Sequence, residues 1–284
     1  MESLSDDDMK YLTGHSISEF NAIFCFTVKN QLDADWPFQN LPLKAPLLLT
    51  LINYRLNFDF SFLGIMFKIH YSSVSKIFKY WTILLSDKFN KVDFWGMRVS
   101  GENLYTVILD CTEIPIQKPT SPEEQQATWS SYKNCNTFKS LIVIDEAGTV
   151  TFVSTLYGGA ASDNVIVAKS GIIQKMKEGD CILADRGFDA TDLLAEKGVI
   201  LNKPPRKNGS QMKENEVAQT RAIAKRRINV ERVIGLVKRN RILAQKVPHS
   251  LFELMPRIFK LLFWLVNIKK SICKSVDGNC KCCV

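Results

Sequence analysis

The chain lacks any apolar run long enough to cross a membrane. Its longest, Leu47-Leu48-Leu49-Thr50-Leu51-Ile52 and Leu261-Leu262-Phe263-Trp264-Leu265-Val266, fall short of the roughly 18–20 residues a span requires, and are expected as faces of buried helices. It also lacks a basic, apolar start. Met1-Glu2-Ser3-Leu4-Ser5-Asp6-Asp7-Asp8 is acidic, so no signal peptide is expected. There is no internal repeat and no low-complexity tract, which excludes solenoid and fibrous architectures. Paired cysteines are missing as well. Of eight cysteines, Cys25, Cys111, Cys135, Cys181 and Cys273 are isolated and form no C-x-x-C pair. Such scatter in a long chain excludes a disulfide scaffold and points to a reducing compartment, the cytosol or nucleus. The tail with Cys280, Cys282 and Cys283 could bind a soft metal, but no second ligand cluster joins it, and it reads rather as a frayed terminus with reactive thiols.

What is present is a globular composition: 284 residues, 46% apolar and 23% charged, enough for one large domain or two smaller ones. Lys and Arg number 37 against 29 Asp and Glu, a formal net charge of +8. That excess permits a polyanionic partner without proving one.

The first hundred residues read as helices. Ser16-Ile17-Ser18-Glu19 has capping-box spacing, followed by Phe20, Ile23, Phe24 and Val28 at helical intervals. Residues 60–81 read as helix, turn, helix. The first helix ends near Phe67-Lys68, and Ser72 or Ser73 caps a second that carries Val74, Ile77, Phe78 and Trp81. In a basic protein this suggests a DNA contact through Ser73, Ser75, Lys76 and Lys79. An ordinary helical hairpin fits equally well, since that face is poor in Arg and Asn. His70 reads as a turn residue rather than a ligand.

From Asn103 the pattern turns to strands. Tyr105–Leu109 is a continuous apolar run closed by Asp110. Ser140–Ile144 and Thr149–Ser154 flank the hairpin signal Asp145-Glu146-Ala147-Gly148, which gives Asp145 a turn role. A helix is expected over 164–176, and a strand over 181–184 closed by Asp185. Another helix is expected over 192–197 and a strand over 199–202. A long helix over 214–246 and a last one over 250–268, with Pro256 near its start, complete the order. Together these make a mixed sheet flanked by helices, behind a helical N-terminal region. Both aspartates then fall at strand ends, where open α/β sheets place ligands.

Asp110, Asp185 and Glu231 are far apart in sequence, so only folding can unite them. Oxygen donors of this kind suit Mg²⁺, a hard cation. Glu231 borders the helical stripe Val230, Val233, Ile234 and Val237, with Arg227 and Gly235 one turn to either side. An exposed Glu231 paired with Arg227 accounts for that position equally well. Gly235 inside a helix suggests close packing or access there. Lys203, Arg206, Lys207, Arg221, Lys225, Arg226, Arg227, Arg232, Lys238, Arg239 and Arg241 form a basic surround that could track phosphates or simply be a solvated face.

In order, the strings Ile108-Leu109-Asp110-Cys111-Thr112-Glu113-Ile114, Trp129-Ser130-Ser131-Tyr132-Lys133, Leu156-Tyr157-Gly158-Gly159-Ala160-Ala161-Ser162-Asp163, Ala184-Asp185-Arg186-Gly187-Phe188 and Asn229-Val230-Glu231-Arg232 resemble the DDE superfamily endonucleases. The closer likeness is to Harbinger-like, IS5-related transposases and their domesticated nuclease relatives, over about Leu12 to Lys274. The resemblance implies an RNase H-like fold with catalytic, metal-holding Asp110, Asp185 and Glu231, two Mg²⁺ or Mn²⁺ ions, cleavage by activated water, and attack of a freed 3′-OH on target DNA. It implies Asp163 as an accessory metal ligand, and Tyr132 and Lys133 as positioning residues. DNA contacts are expected from Ser73, Lys76, Lys79, Arg227, Arg232, Lys238 and Arg239.

Two departures stand out. Asn229 occupies a position where relatives commonly carry His. No Cys/His zinc module precedes the nuclease region, which suggests truncation or a separate DNA-binding partner protein. The expected organisation is a helical region over 1–100, a nuclease domain over 101–274 and the Cys-rich tail over 275–284. Double-stranded DNA is the expected partner, a homodimer is in keeping with the reading, and the nucleus is the expected location. The competing readings are a DNA-binding protein that keeps the fold without cutting and an Mg²⁺-dependent phosphohydrolase of small molecules. The basic helix and the helix-turn-helix count against the latter.

Overall fold

The computed structural model describes residues 4–28, 41–97, 105–185, 188, 191–203 and 214–269, the side chains of 192–193 and 214–223 excepted. The Cys-rich tail, Arg206, Lys207 and the side chain of Arg221 lie outside what is described.

The N-terminal helices are α1 (Asp6–Thr13), α2 (Ile17–Val28), α3 (Ala45–Leu56), α4 (Phe60–Phe67) and α5 (Tyr71–Phe89). The capping box before α2 forms: Ser16 N–H donates to Glu19 Oε2 at 2.9 Å, and Glu19 N–H to Ser16 Oγ at 3.2 Å. Helix α4 ends at Phe67, where Lys68 turns left-handed at φ 55°. His70, not Ser72 or Ser73, is the N-cap of α5, its Nδ1 facing the backbone N–H of Ser72 at 3.3 Å. The turn role of His70 therefore holds, while the start of α5 moves upstream.

Gly64 makes this turn possible. A Cβ there would lie 2.7 Å from the Ile69 carbonyl oxygen, so the α4–α5 connection can close only over glycine. Gly64→Ala is expected to lower stability by about 1–3 kcal/mol. A drop in the thermal midpoint with α5 still helical by circular dichroism is the result to look for, and an unchanged midpoint would contradict it.

The strands are β1 (Thr106–Pro115), β2 (Trp129–Ser130), β3 (Cys135–Asp145), β4 (Val150–Val153), β5 (Tyr157–Gly158), β6 (Cys181–Leu183) and β7 (Ile200–Asn202). They form one seven-stranded mixed sheet. β3 runs antiparallel to β1 and also pairs with β2, β4 and β5, whereas β6 and β7 run parallel to β1. An antiparallel meander followed by parallel strands, with helices on both faces, is the RNase H-like arrangement. Asp145 closes the β3–β4 hairpin by accepting the Thr149 N–H at 2.8 Å, as its turn role requires.

The helices between and after the strands are α6 (Pro122–Thr128), α7 (Asp163–Ser170), α8 (Ile172–Lys175), α9 (Thr191–Ala195), α10 (Glu214–Lys238), α11 (Arg241–Ala244) and α12 (Met255–Val266). Three expected helices differ from those observed. The one over 164–176 is broken at Gly171, whose φ of 84° ends α7. The long helix stops at Lys238, because the chain must return to the sheet. Val247 donates to the Pro115 carbonyl and accepts from Gln117 N–H, extending β1. Helix α12 is shorter than expected, preceded by a 3₁₀ turn over His249–Leu251, and Pro256 sits in its first turn rather than at a kink.

Side-chain alternation divides the core into two layers. Ile108, Ile142, Ile144 and Leu183 join α10, α12 and the N-terminal helices in the first. Val107, Leu109, Leu141, Val143 and Ile182 meet α7, α8 and α9 in the second. The described N-terminal helices α1–α5 thus share one continuous core with the sheet. Trp264 Nε1 donates to Asn90 Oδ1 at 3.3 Å, and Arg257 pairs with Asp87, joining α12 to α5 and the residue after it. Just past α12, Asn267 clamps the edge of β4, accepting from Val150 N–H at 2.8 Å and donating to Val150 O at 2.9 Å. Among the described residues, no helix is long and apolar enough to cross a membrane.

Candidate active site

Asp110 does not end its strand. β1 continues to Pro115, because β3 supplies partners through the whole stretch: Asp110 opposes Ile142, and Glu113 opposes Lys139. On the other side the parallel register pairs Thr106 with Cys181, Val107 with Ile182 and Ile108 with Leu183. That parallel pairing ends there, two residues short of Asp110 and of Asp185; Asp110 keeps the parity of Ile108 along β1 and so faces the layer covered by α10.

Helix α10 lies on that layer through Val230, Val233, Ile234 and Val237, all buried. Glu231 stands at the exposed margin beside them. Arg227, a turn earlier, reaches into the acidic site, its Nη1 lying 2.9 Å from Asp185 Oδ1. Its side chain is only 13% exposed, against 67% for that of Asp185. Its Nε is buried without a hydrogen-bond partner. Arg227, expected among the DNA contacts, pairs with Asp185 in the acid cluster, where carboxylates balance its largely buried guanidinium.

The charges act on one another. Burial pushes the Asp110 carboxyl up to about 6; Glu231 and Asp163 push the same way, while Arg227 and the Cys111 backbone N–H pull against them. The structure thus brings Asp110, Asp185, Glu231 and Arg227 into one neighbourhood.

Asp163 is placed differently. It opens α7, and its Oδ1 lies 2.7 Å from Lys139 Nζ. Lys139 also lies 3.9 Å from Glu113 Oε1 and donates to the Ala161 carbonyl at 3.3 Å. Thr137 Oγ1 donates to the other Glu113 oxygen at 2.8 Å. Cys111, Glu113 and Lys139 alternate away from Asp110, so this charged group occupies the opposite face of the sheet. There the Cys111 thiol is pushed well up, chiefly by burial and then by Asp163. Asp163 reaches Asp110 through its field but is tied to Lys139. Lys139 was missed in the sequence. Its only signal was a lysine at the head of a buried strand.

Of the expected DNA contacts, Lys76 and Lys79 are exposed on α5 and Ser73 is half-buried. Arg232 and Arg239 are exposed. Lys238 is half-buried, its ammonium pushed down by burial and by Lys133 and held up by Glu113 and Asp110, which puts it close to the acids. Arg226 pairs with Glu146 at 3.3 Å. A Cβ added at Gly235 would meet nothing within 4 Å, so neither close packing nor a neighbouring backbone demands glycine there.

By donor type, Asp110, Asp185 and Glu231 fit a hard divalent cation: all are carboxylates, and a raised Asp110 beside like charges is a group that a cation would relieve. Among the described residues, no group of three acidic, His or Cys side chains is gathered closely enough to hold an ion as it stands. The Arg227 guanidinium meanwhile supplies positive charge at Asp185.

A family model described as DDE superfamily endonuclease matches residues 109–267. A second, described as the helix-turn-helix of DDE superfamily endonuclease, matches residues 39–91, which hold α3, α4 and α5. No curated protein shows significant sequence similarity to the chain.

Proposed function

Since the chain belongs to the DDE superfamily endonucleases, with a Harbinger/IS5-like relationship that suits both of its matched regions, we propose that it is a divalent-metal-dependent DNA endonuclease, with transposase-type strand transfer as the finer activity. The observation that supports this reading is Arg227 of α10, whose guanidinium reaches Asp185 and whose charge, with that of Glu231 on the same helix, acts on Asp110. Asp110, Asp185 and Glu231 would hold two Mg²⁺ or Mn²⁺ ions, whose chemistry is to activate an attacking water and stabilise the leaving 3′ oxygen.

The rest is done by the chain's own groups. Arg227 holds Asp185 in place through its Nη1. Lys238 adds positive charge beside Asp110. Arg232 and Arg239 extend that charge along α10, and Ser73, Lys76 and Lys79 of α5 meet the duplex. Asp163, held by Lys139, acts as an accessory acid through its field rather than as a primary ligand. A nuclear location, a homodimer and a separate DNA-binding partner belong to the same proposal.

The test is supercoiled plasmid with Mg²⁺ or Mn²⁺, wild type beside Glu231→Gln. Nicking by the wild type and its loss in the variant are expected. DNA affinity should also fall steeply as salt rises. The second reading, a DNA-binding protein that no longer cuts, is favoured by one observation: the acids are not closed around an ion position while Arg227 pairs with Asp185. Salt-sensitive binding without nicking in either metal would establish it in place of the first.

A further inference from the structure

We propose that the groove between α6, β2 and the Gly159–Ala161 turn is a binding site for unpaired nucleotides, a single-stranded segment of the DNA substrate. The inference deepens the nucleic-acid reading above and rests on it, but not on cleavage. The groove encloses about 760 Å³. Two aromatic rings stand at its rim in water: Trp129 is 47% exposed and Tyr132 is 82% exposed. Lys133 Nζ lies 4.5 Å from the centre of the Tyr132 ring, and Lys118 and Lys139 line the wall.

This groove is built rather than incidental. Asn136 Nδ2 donates to Gln125 O and Thr128 Oγ1, both at 2.9 Å, fastening α6 to the floor. Gly159 admits no side chain, since a Cβ would lie 2.1 Å from Thr137 Oγ1. The carboxylate in the lining, Glu113, is already engaged by Thr137 and Lys139. The ligand therefore meets aromatic faces and cations.

That combination suits bases that stack and phosphates that pair. In duplex DNA the base faces are covered by their neighbours, so an intact duplex leaves Trp129 and Tyr132 nothing to stack on. Only a strand with unstacked bases satisfies both groups at once. Lys139, which lines the groove, also holds Asp163.

The experiment uses the full chain in EDTA, with labelled oligothymidylate and a duplex of equal length, read by fluorescence anisotropy and tryptophan quenching. Trp129→Ala and Tyr132→Ala should each weaken oligothymidylate binding roughly tenfold, leave duplex binding within about twofold, and be largely rescued as Trp129→Phe and Tyr132→Phe. Tyr132 is so exposed that its substitution should leave the thermal midpoint unchanged. Equal losses for both ligands, or none, overturn the inference. The two readings fail separately. If plasmid is not nicked but the single-strand discrimination holds, cleavage falls and the groove stands. If plasmid is nicked but the alanine variants bind oligothymidylate like the wild type, the groove alone falls.

Discussion

Asp110→Asn is expected to abolish metal-dependent nicking and, at the same time, to make the metal-free protein more stable at neutral pH. The two effects have one cause. Asp110 is held in a part-buried position beside Glu231 and within the field of Asp163, and its carboxyl is raised from 3.8 to about 6. The folded chain therefore keeps a proton that the unfolded chain releases between those values. Stability contributed by this group is complete below about pH 4, declines as pH rises through the interval, and is lost above about pH 6. Asparagine keeps the shape without the charge, so the variant should gain roughly 1–3 kcal/mol at pH 7.5 and nothing at pH 3.5. If Asp110 holds the metal as proposed, its loss should cost roughly a hundred- to a thousandfold in cleavage or more. The checks are thermal midpoints at the two pH values, in EDTA, beside plasmid nicking in Mn²⁺. A variant that is inactive and also less stable at neutral pH would mean that Asp110 supports the fold rather than the chemistry.

Gly158→Ala is the second substitution with a large expected effect. A Cβ at Gly158 would lie 2.1 Å from the Ala127 carbonyl oxygen and 2.9 Å from its carbon. Both are backbone atoms, so no side-chain rotation relieves the clash. Either β5 must leave its register with Phe138 of β3 or α6 must lift away. The hydrogen bond from Ala160 N–H to Ala127 O would be lost with it. The cost is expected to reach about 3 kcal/mol or more, at the top of the range for overpacking. Asp163, further along the same turn, would lose its seat at Lys139, and single-strand binding in the groove should fall as well. Gly235→Ala is the control. That position is open, so alanine in mid-helix should raise stability by up to about 1 kcal/mol. Denaturant midpoints for the pair should move in opposite directions; movement in the same direction would contradict the packing argument.

Much of the fold was legible because it is written in local pattern. The helical spacing of Val74, Ile77, Phe78 and Trp81 marked α5, and each of these residues is buried. The turn chemistry of Asp145 and Gly148 marked the β3–β4 hairpin. Boundaries were less legible wherever a distant partner decides them. Asp110 looked like the end of a strand because Cys111, Thr112 and Glu113 break the apolar run. The strand continues because Lys139 and Thr137 satisfy Glu113 from across the sheet. The helix over 214–246 looked continuous because nothing local shows that Val247 must bond to Pro115 and Gln117.

The site was legible as a set of residue types but not as a geometry. Periodicity alone left Glu231 as well explained by an exposed pair with Arg227. The folded chain sends Arg227 to Asp185 instead, through a contact 42 residues away in sequence. The same limit applied to Asp163. The sequence placed it next to the Gly158-Gly159 pair, but only the sheet's alternation puts it on the face opposite Asp110.

The fastening of α12 at both ends has a consequence for how such a protein would measure DNA. Asn267 grips the edge of β4 while Trp264 and Arg257 hold Asn90 and Asp87. If α4–α5 reads DNA as proposed, these grips tie that reader to the sheet that carries the carboxylates. The spacing between the bases touched and the bond broken would then be a constant of the molecule, set by its internal dimensions and not by the sequence it grips.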